Sequence, residues 1–423
     1  MDIIQGMNDI HSKDEFVYRP RWIVPFLRQS LEDHPILILA GARQVGKSTL
    51  LREEEPFSGW NYRTMDNYDT LEQAKRDPAA LWAGTDRLVL DEVQKSPSLL
   101  SAVKEAVDRS RRKIRFVLSG SQNLLLMQRV TESLAGRAVY ASLLPMAWGE
   151  RASRPPSRLI ENLFAGEFPE EGPRGKGEEA TQDILLRGLF PPLETLSWPA
   201  GVLGWWEGYV ATYLERDLRQ ISSVESLPDF RRVMEALALR SGSMLNQTEV
   251  ARDTGVSQPT VHRYVNLLEV SSLLTRLPAF SRNRTRRLLK SPKIHWIDPA
   301  LAAYLSGLHD PLAFKHSREA GALFESLVFL HIQVPSGLMV PKPRLFHWRT
   351  ATGQEVDFVL ERGRHLLAVE AKYTTAPRYA DTKGLQDFMA EYPETVAGLL
   401  VYDGDEILRL HEKIVALPWY VLG

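Results

Sequence analysis

The sequence predicts an α/β protein with several domains, and three patterns lead to this prediction. Short apolar segments alternate with helical segments over about the first 120 residues, which is typical of a parallel sheet covered by helices. A helix-turn-helix pattern follows near residue 250. The last hundred or so residues return to mixed helices and strands around a hairpin that carries charges within apolar strands.

The composition is that of an ordinary globular chain, with 423 residues, 44% hydrophobic and 25% charged. This length favours about two to four domains. The net charge of −1 means that any contact with nucleic acid must come from local basic patches. The absence of cysteine excludes disulfides and thiolate zinc sites. We expect a cytoplasmic protein with no membrane partner, because the N-terminus lacks the features of a secretory signal and no apolar run approaches about 20 residues.

The predicted elements follow the apolar periodicity and the turn residues. The predicted helices are 20–33, 47–54 and 98–109, and the predicted apolar strands are 35–41, 87–92 and 114–121. Residues 151–180 are rich in Pro, Gly, Glu and Arg and are interpreted as an exposed connection. The predicted domains are an α/β core at 1–150, a linker and helical lid at 151–240, a winged helix-turn-helix at 241–305 and a C-terminal α/β domain at 306–423.

A phosphate-binding loop lies between the first strand and the next helix. The segment GARQVGKS fits G-x-x-x-x-G-K-[ST] in the strand-to-helix context that this motif requires. Its backbone N–H groups would surround phosphate oxygens, Lys47 would reach the β- and γ-phosphates, and Ser48 would offer a hydroxyl to Mg²⁺. The alternative is a glycine turn that only joins strand to helix. The predicted ATP-binding residues are Gly41, Ala42, Arg43, Gln44, Val45, Gly46, Lys47, Ser48 and Thr49.

An acidic pair ends the next strongly apolar strand, in the segment LVLDE. Asp91 would hold Mg²⁺ directly or through water, and Glu92 would orient and deprotonate the attacking water. The alternative is a solvent-exposed acidic pair at a strand end. The position of the pair about 40 residues after the loop favours the catalytic interpretation.

These segments, with others along the chain, resemble an AAA+-type ATPase of the prokaryotic family that carries a C-terminal DUF4143 domain. The similar stretches are GARQVGKSTLL, LVLDEVQ, FVLSGSQNLLL, ESLAGRAVYASLLPMAWGE, YLERDL, KSPKIHWIDPAL, GALFESLV and EVDFVL. The resemblance implies that Ser119 or Ser121 senses the γ-phosphate. It also implies that Arg137 is an arginine finger reaching into a neighbouring subunit, and hence a homo-oligomer such as a ring. The alternative for Arg137 is an intramolecular ion pair.

A winged helix is predicted from LNQTEVARDTGVSQPTVHRYVNLLE at 245–269. Thr248 would cap the first helix, Gly255 would make the turn and Ser257 would cap the second helix. The outward residues of the second helix, which suit base edges and phosphates, are Gln258, Thr260, His262 and Arg263. The following strand pair is joined by SRNRTRRLLK, with five cations and no acid, so DNA is an expected partner through Arg284, Arg286 and Arg287. The alternatives are a protein-docking module and the lid of an ATPase.

The hairpin VDFVLERGRHLLAVEAKY at 356–373 places Asp357 opposite Glu370 and Lys372. Together with Glu325 on the preceding helix, this order resembles the PD-(D/E)xK nucleases. Asp357, Glu370 and the carbonyl of Ala371 would hold Mg²⁺ or Mn²⁺, and Glu325 could supply a third carboxylate. Lys372 would position or activate the attacking water. Gln386 could touch the substrate or that water. The alternative is an ion pair between Asp357 and Lys372 with no catalysis.

Two functions therefore remain open at this stage. The first is an ATP-hydrolysing protein that binds DNA and cleaves it with a divalent metal. The second is an ATP-driven switch or nucleotide-regulated binding factor whose nuclease-like domain is not catalytic.

Overall fold

A parallel α/β sheet forms the first part of the structure. The computed structural model describes residues 18–121, 134–170, 179–212 and 224–423. Within these residues the strands of the first sheet are β1 Ile36–Gly41, β2 Asn61–Thr64, β3 Arg87–Asp91, β4 Arg115–Ser121 and β5 Ala138–Ser142. Its order is β2-β3-β4-β1-β5, and every pairing is parallel. The helices beside it are α1 Val24–Asp33, α2 Lys47–Glu53, α3 Tyr68–Arg76 and α4 Leu99–Arg109.

The sheet order brings the two predicted motifs to one edge. The chain leaves β1 at the phosphate loop and leaves β3 at Asp91, and β4 lies between these two strands. In open parallel sheets, ligands bind outside the carboxyl ends of the strands where the strand order reverses. The predicted strands and helices of this region agree with the structure to within a few residues. β2, α3 and β5 were not predicted, because both strands are short and only partly buried and α3 buries only Ala74.

Short helices connect this sheet to the winged helix. They are α5 Trp148–Arg151, α6 Leu159–Phe164, α7 Thr181–Arg187, α8 Ala200–Tyr209 and α9 Leu227–Ala238. The exposed connection expected over 151–180 is wrong for α6, because the apolar side chains of this helix are buried. The segment YLERDL lies outside the described residues.

The segment predicted to be a winged helix, for which that name is kept, contains α10 Gln247–Thr254, α11 Gln258–Val270, β6 Leu274–Leu277, α12 Arg284–Leu289 and β7 Lys293–Trp296. Gly255 ends α10 in the left-handed conformation and Ser257 caps α11, as predicted. The predicted cap of α10 is wrong: the side chain of Asn246, not Thr248, accepts the free backbone N–H groups. The strands β6 and β7 pair antiparallel, and the basic segment between them forms α12.

The C-terminal part is a second α/β layer within the range 224–423. Its strand order is β12-β13-β11-β10-β9-β8, with β9 and β10 forming the predicted antiparallel hairpin. The helices are α13 Pro299–Leu305, α14 Pro311–Lys315, α15 Ala320–Leu338 and α16 Lys383–Glu391. The strands are β8 Arg344–Arg349, β9 Glu355–Arg362, β10 His365–Lys372, β11 Thr395–Tyr402, β12 Leu408–His411 and β13 Ile414–Pro418.

One apolar core runs through all of these units. It extends from Val24 on α1 to Leu422 near the C-terminus. At the junction, the backbone N–H of Trp148 donates to Nε2 of His331 on α15 at 2.9 Å. Burial lowers the pKa of His331 to about 4, so its ring is neutral and Nε2 is available as an acceptor. The α/β layers are therefore packed together rather than strung on linkers.

Candidate functional site

The phosphate loop lines a cavity, and two of its residues have a left-handed backbone. Gln44 and Gly46 have φ values of 65° and 94°. The side chain of Lys47 is buried and donates to the carbonyl oxygens of Gly41 and Ala42 at 3.0 and 2.8 Å. Burial lowers the pKa of Lys47 to about 8. These weak acceptors hold the lysine where phosphate oxygens would bind it more strongly.

A buried arginine supports the loop from behind. Arg21 donates to the carbonyl oxygens of Val45 and Leu144 at 2.8 and 2.7 Å. Its Nε lies 3.2 Å from Glu150, which also accepts from the backbone of Trp22. The loop, the exit of β5 and the start of α1 are thereby tied to one charge pair. The sequence analysis did not identify Arg21, because its partners lie 24 to 129 residues away.

The two residues predicted to bind Mg²⁺ in the phosphate site lie in contact. Ser48 donates to Oδ2 of Asp91 at 2.6 Å, so a hydroxyl from the first turn of α2 and a carboxylate at the end of β3 meet at one point. Tyr62 on β2 also donates to Asp91, and this residue was not predicted. An oxygen-only set of this kind fits Mg²⁺.

Glu92 directly follows β3 and does not have the extended backbone of a strand. Its backbone is left-handed, with φ 58° and ψ 37°, and its carboxylate accepts a hydrogen bond from Gln94. Burial and the charge of Asp91 raise the pKa of Glu92 above its ordinary value. A glutamate with a raised pKa at the edge of a phosphate site suits a general base.

A cavity of about 660 Å³ lies between the phosphate loop and helix α8. Lys47 and Glu92 form one wall, and Gly204, Trp205 and Gly208 on α8 form the other. A second cavity of about 750 Å³ shares the loop and Trp205 with the first. Helix α8 was predicted as part of a lid, and its contact with the phosphate site was not foreseen.

The resemblance implies a sensor serine, Ser119 or Ser121, and an arginine finger. These residues lie at opposite ends of the parallel strands. Ser119 and Ser121 are near the carboxyl end of β4, where Ser121 pairs in register with Gly41. Arg137 precedes β5 at the amino edge and forms a two-bond ion pair with Asp108 at 2.7 and 2.9 Å. The phosphate loop is at the carboxyl edge, so Arg137 faces away from the nucleotide site of its own chain.

The basic segment of the winged helix is partly used inside the molecule. The guanidinium of Arg287 is buried, makes two 2.8 Å bonds to Glu361 and lies 4.6 Å from the ring centres of Phe280 and Phe346. This corrects the prediction that Arg287 contacts DNA. Arg282 similarly pairs with Glu394 of the C-terminal domain. Of the three predicted contacts, Arg284 has an exposed side chain, and the side chain of Arg286 lies outside the described residues.

The outer face of α11 remains accessible in part. Gln258 and His262 are exposed, whereas Thr260 and Arg263 are half-buried. Arg263 pairs with Glu225 at 3.2 Å. The winged helix thus keeps a small polar face to solvent, while much of its basic segment packs on the C-terminal domain.

The hairpin charges meet a residue that the sequence analysis missed. Lys293 on β7 donates to Glu325 and to Asp357, both at 2.9 Å. Lys372 pairs with Glu370 at 2.8 Å rather than with Asp357. Burial lowers the pKa of Lys293, but the two carboxylates more than offset this and raise it. Burial and the charge of Asp357 raise the pKa of both Glu325 and Glu370 to about 8.

The expected metal site is therefore not assembled as predicted. Among the described residues, no group of three or more His, Asp or Glu side chains is arranged to hold a metal ion. The physical reason is the ammonium group of Lys293, which takes an oxygen from both Glu325 and Asp357. Gln386 hydrogen-bonds Thr382 at 2.7 Å instead of joining the acidic cluster.

Three family models match successive parts of the chain. Residues 33–152 match a model described as an AAA domain. Residues 178–312 match a domain of unknown function, DUF8612, and residues 320–422 match another, DUF4143. The uncharacterized proteins Rv2008c of Mycobacterium tuberculosis and Mb2031c of Mycobacterium bovis are each 28% identical over 397 residues. These alignments cover 93% of this chain and 82% of each relative.

Two solved structures show only distant likeness. A signal transduction ATPase with a tetratricopeptide repeat sensor, from Pyrococcus horikoshii, is 8% identical with a TM-score of 0.20, and the alignment covers 73% of this chain and 44% of that one. Protein VC1899 from Vibrio cholerae is 11% identical with a TM-score of 0.18, over 90% and 94% of the two chains. Such scores are too low to establish a common fold. The AAA match, with the phosphate loop and its acidic pair, supports a nucleotide-binding ATPase, and the chain is an AAA-domain protein with a C-terminal DUF4143 domain.

Proposed function

We propose that this protein is an ATP-driven molecular switch whose C-terminal domain does not cleave nucleic acid. Lys47, Ser48 and Glu92 line one cavity, and Ser48 hydrogen-bonds the buried Asp91; this arrangement carries the first half of the proposal. Lys47 would leave its two backbone acceptors and bind phosphate oxygens. Ser48 and Asp91 would hold Mg²⁺, which when bound neutralises charge on the phosphates. Glu92 would orient a water and accept its proton.

The second cavity, of about 750 Å³, suits the base of the nucleotide. Its walls include Met146, Pro191, Pro192 and Trp205, which give flat apolar surfaces next to the loop residue Thr49. A purine ring gains from burial and stacking against such surfaces. This placement would put the base between the first sheet and the middle helices, so that nucleotide binding draws the two together.

Helix α8 offers a physical route from the nucleotide to the winged helix. Trp205 faces the cavity, and the next residue, Trp206, packs on Phe190 and donates to the carbonyl of Arg187 at 3.2 Å. The adjoining Leu189 N–H donates to Asp298, which caps α13 beside the winged helix, at 2.7 Å. A shift of α8 on nucleotide binding would move these contacts together.

The position of Lys293 favours the switch over the nuclease. A nuclease of the expected type needs the oxygens of Asp357 and of its neighbouring acids for a divalent metal. In this structure Lys293 binds an oxygen of Asp357 and one of Glu325. The proposed role of the C-terminal domain is therefore to hold the winged helix, with Arg287 and Lys293 as the charged contacts.

Hydrolysis assays on point variants test the nucleotide half of the proposal. Lys47→Ala should abolish ATP binding or turnover, and Glu92→Gln should retain ATP binding but lose hydrolysis. Lys104→Ala and Glu105→Gln on the exposed face of α4 are the matched controls and should behave as wild type. Hydrolysis by Glu92→Gln at the wild-type rate would show that Glu92 is not the base.

A cleavage assay tests the other half. Labelled single-stranded, duplex and forked DNA would be incubated with Mg²⁺ or Mn²⁺, with and without ATP. We expect no cleavage by a preparation that hydrolyses ATP. Cleavage that disappears in Lys372→Ala would restore the nuclease as the function of the C-terminal domain.

Contact with DNA and assembly into a homo-oligomer are further parts of the proposal. The exposed Gln258 and His262 favour a nucleic-acid contact by α11, and its affinity should fall steeply with salt. The location of Arg137 opposite its own nucleotide site favours a role in trans. Light scattering with ATP and Mg²⁺ should show association. A protein that stays monomeric yet hydrolyses ATP normally would exclude the finger.

A further inference from the structure

The buried charge cluster combines acids of the C-terminal domain with a lysine of the winged helix. Nζ of Lys293 lies 2.9 Å from Oε1 of Glu325 and 2.9 Å from Oδ1 of Asp357. The lysine side chain is 5% exposed, and the two acids are 13% and 8% exposed. Removing either partner from such a contact leaves a buried charge without compensation, which is strongly unfavourable.

The backbone around the cluster positions the lysine and the acids. Oδ2 of Asp357 accepts from the N–H of Ala371 at 3.0 Å, which fixes the carboxylate plane. Gly242 lies beside Glu325, and a Cβ at this glycine would come within 3.2 Å of Oε2 of that residue. The N–H of Gly242 also donates to the carbonyl of Ile294 at 2.7 Å, so the same glycine anchors β7 next to Lys293.

The lysine occupies the space that a divalent cation bridging Glu325 and Asp357 would need. A metal bridging Glu325 and Asp357 would lie about 2.0–2.6 Å from an oxygen of each. The ammonium nitrogen already lies in contact with the same two oxygens. The two cations cannot occupy this space together, so a metal could enter only if β7 or the side chain of Lys293 withdrew.

We propose that Lys293 is the resident cation of this acidic site, that it excludes divalent metal ions from it, and that it thereby fastens the winged helix to the C-terminal domain. This inference rests on the proposed non-catalytic role of that domain. It adds a residue and a physical mechanism to that role. It also implies that removing one side chain converts a docking contact into a metal site.

Binding of Mn²⁺ to the nucleotide-free protein, followed by electron paramagnetic resonance of the free ion, tests the proposal. Lys293→Met should bind Mn²⁺ at least tenfold more tightly than wild type. The gain should disappear in Lys293→Met/Asp357→Asn, because the bridging carboxylate is lost. Lys290→Met is the matched control, since Lys290 precedes β7 with an exposed side chain, and it should bind as wild type does. Thermal unfolding gives a second readout: Mn²⁺ should raise the midpoint of Lys293→Met and leave that of wild type unchanged.

The wild-type arm decides the question even if Lys293→Met does not fold. A wild-type protein that binds Mn²⁺ without nucleotide, and loses this binding in Asp357→Asn, would overturn the inference. If that protein also fails to cleave DNA, the switch remains and only the role of Lys293 is wrong. If it cleaves DNA, both proposals fail. A folded Lys293→Met that gains no Mn²⁺ affinity would likewise show that the lysine does not stand in for a metal.

Discussion

The charge pair behind the phosphate loop gives a prediction whose size follows from its burial. Arg21→Met removes the partner of Glu150, and both side chains are less than a twentieth exposed. Loss of one member of a buried ion pair costs about 3–5 kcal/mol of unfolding free energy. Arg19→Met is the matched control. Arg19 lies two residues earlier, and its longer 3.4 Å contact to Glu194 is partly solvated, so its loss should cost about 0–1 kcal/mol.

The same substitution should weaken nucleotide binding. The hydrogen bond from Arg21 to the carbonyl of Val45 joins a charged donor to the loop, and such bonds contribute about 1.5–3 kcal/mol. A loop that loses this anchor must be ordered by the nucleotide, so we expect an ATP dissociation constant about tenfold higher or more. Denaturant unfolding and titration with a fluorescent ATP analogue measure the two effects.

A second variant separates charge from packing. In Arg21→Met/Glu150→Gln the uncompensated carboxylate is gone, and the amide oxygen can still accept from the backbone of Trp22. We expect this double variant to be more stable than Arg21→Met alone. If Arg21→Met lowers the free energy of unfolding by less than about 1 kcal/mol, as Arg19→Met should, the buried ion pair does not hold the loop as proposed.

Three further predictions follow from single contacts. Gly41→Ala should abolish nucleotide binding and lower the melting temperature, since its Cβ would come within 2.4 Å of a backbone carbonyl after β5; a wild-type titration curve would contradict this. Burial raises the pKa of Asp298 to about 6, so its stabilising contribution is full below pH about 4 and is lost as the pH rises through 6. Unfolding at several pH values should therefore show wild type losing about 3 kcal/mol relative to Asp298→Asn between pH 4 and 7, and parallel profiles would exclude this assignment. Arg287→Met should cost about 1–3 kcal/mol by freeing Glu361, whereas Arg284→Met should leave stability unchanged and weaken DNA binding; equal melting curves for the two variants would show that Arg287 is not a docking contact.

The sequence was most informative where the chemistry is local. The loop residues predicted to bind phosphate are consecutive. The strand before them is strongly apolar, and a regular helix follows them. Their positions were therefore predicted to within a few residues. Ser257 and Gly255 were also predicted correctly, because caps and left-handed turns depend on adjacent residues.

Contacts between distant segments were not predictable in this way. Lys293 sits in an apolar strand, and its partners lie 32 and 64 residues further along the chain. In the sequence Arg287 is one cation of a basic run, and only the structure shows that it pairs with Glu361. Arg287 was singled out from the sequence and Lys293 was not, and the pairing of both residues depends on how β7 and α12 meet the second sheet. Lys293 therefore changed the interpretation of Glu325 and Asp357, which the sequence had predicted to be metal ligands.

The continuous core has a practical meaning for dissecting this chain. Matches to separate families invite the expression of each segment as its own fragment, for example with cuts near residues 152 and 320. One buried apolar cluster contains both Trp148 and Leu422. Either cut would therefore expose a large apolar surface to water. Fragments made at the family boundaries should aggregate or require each other for solubility. Co-expression of the halves is the natural way to rejoin them.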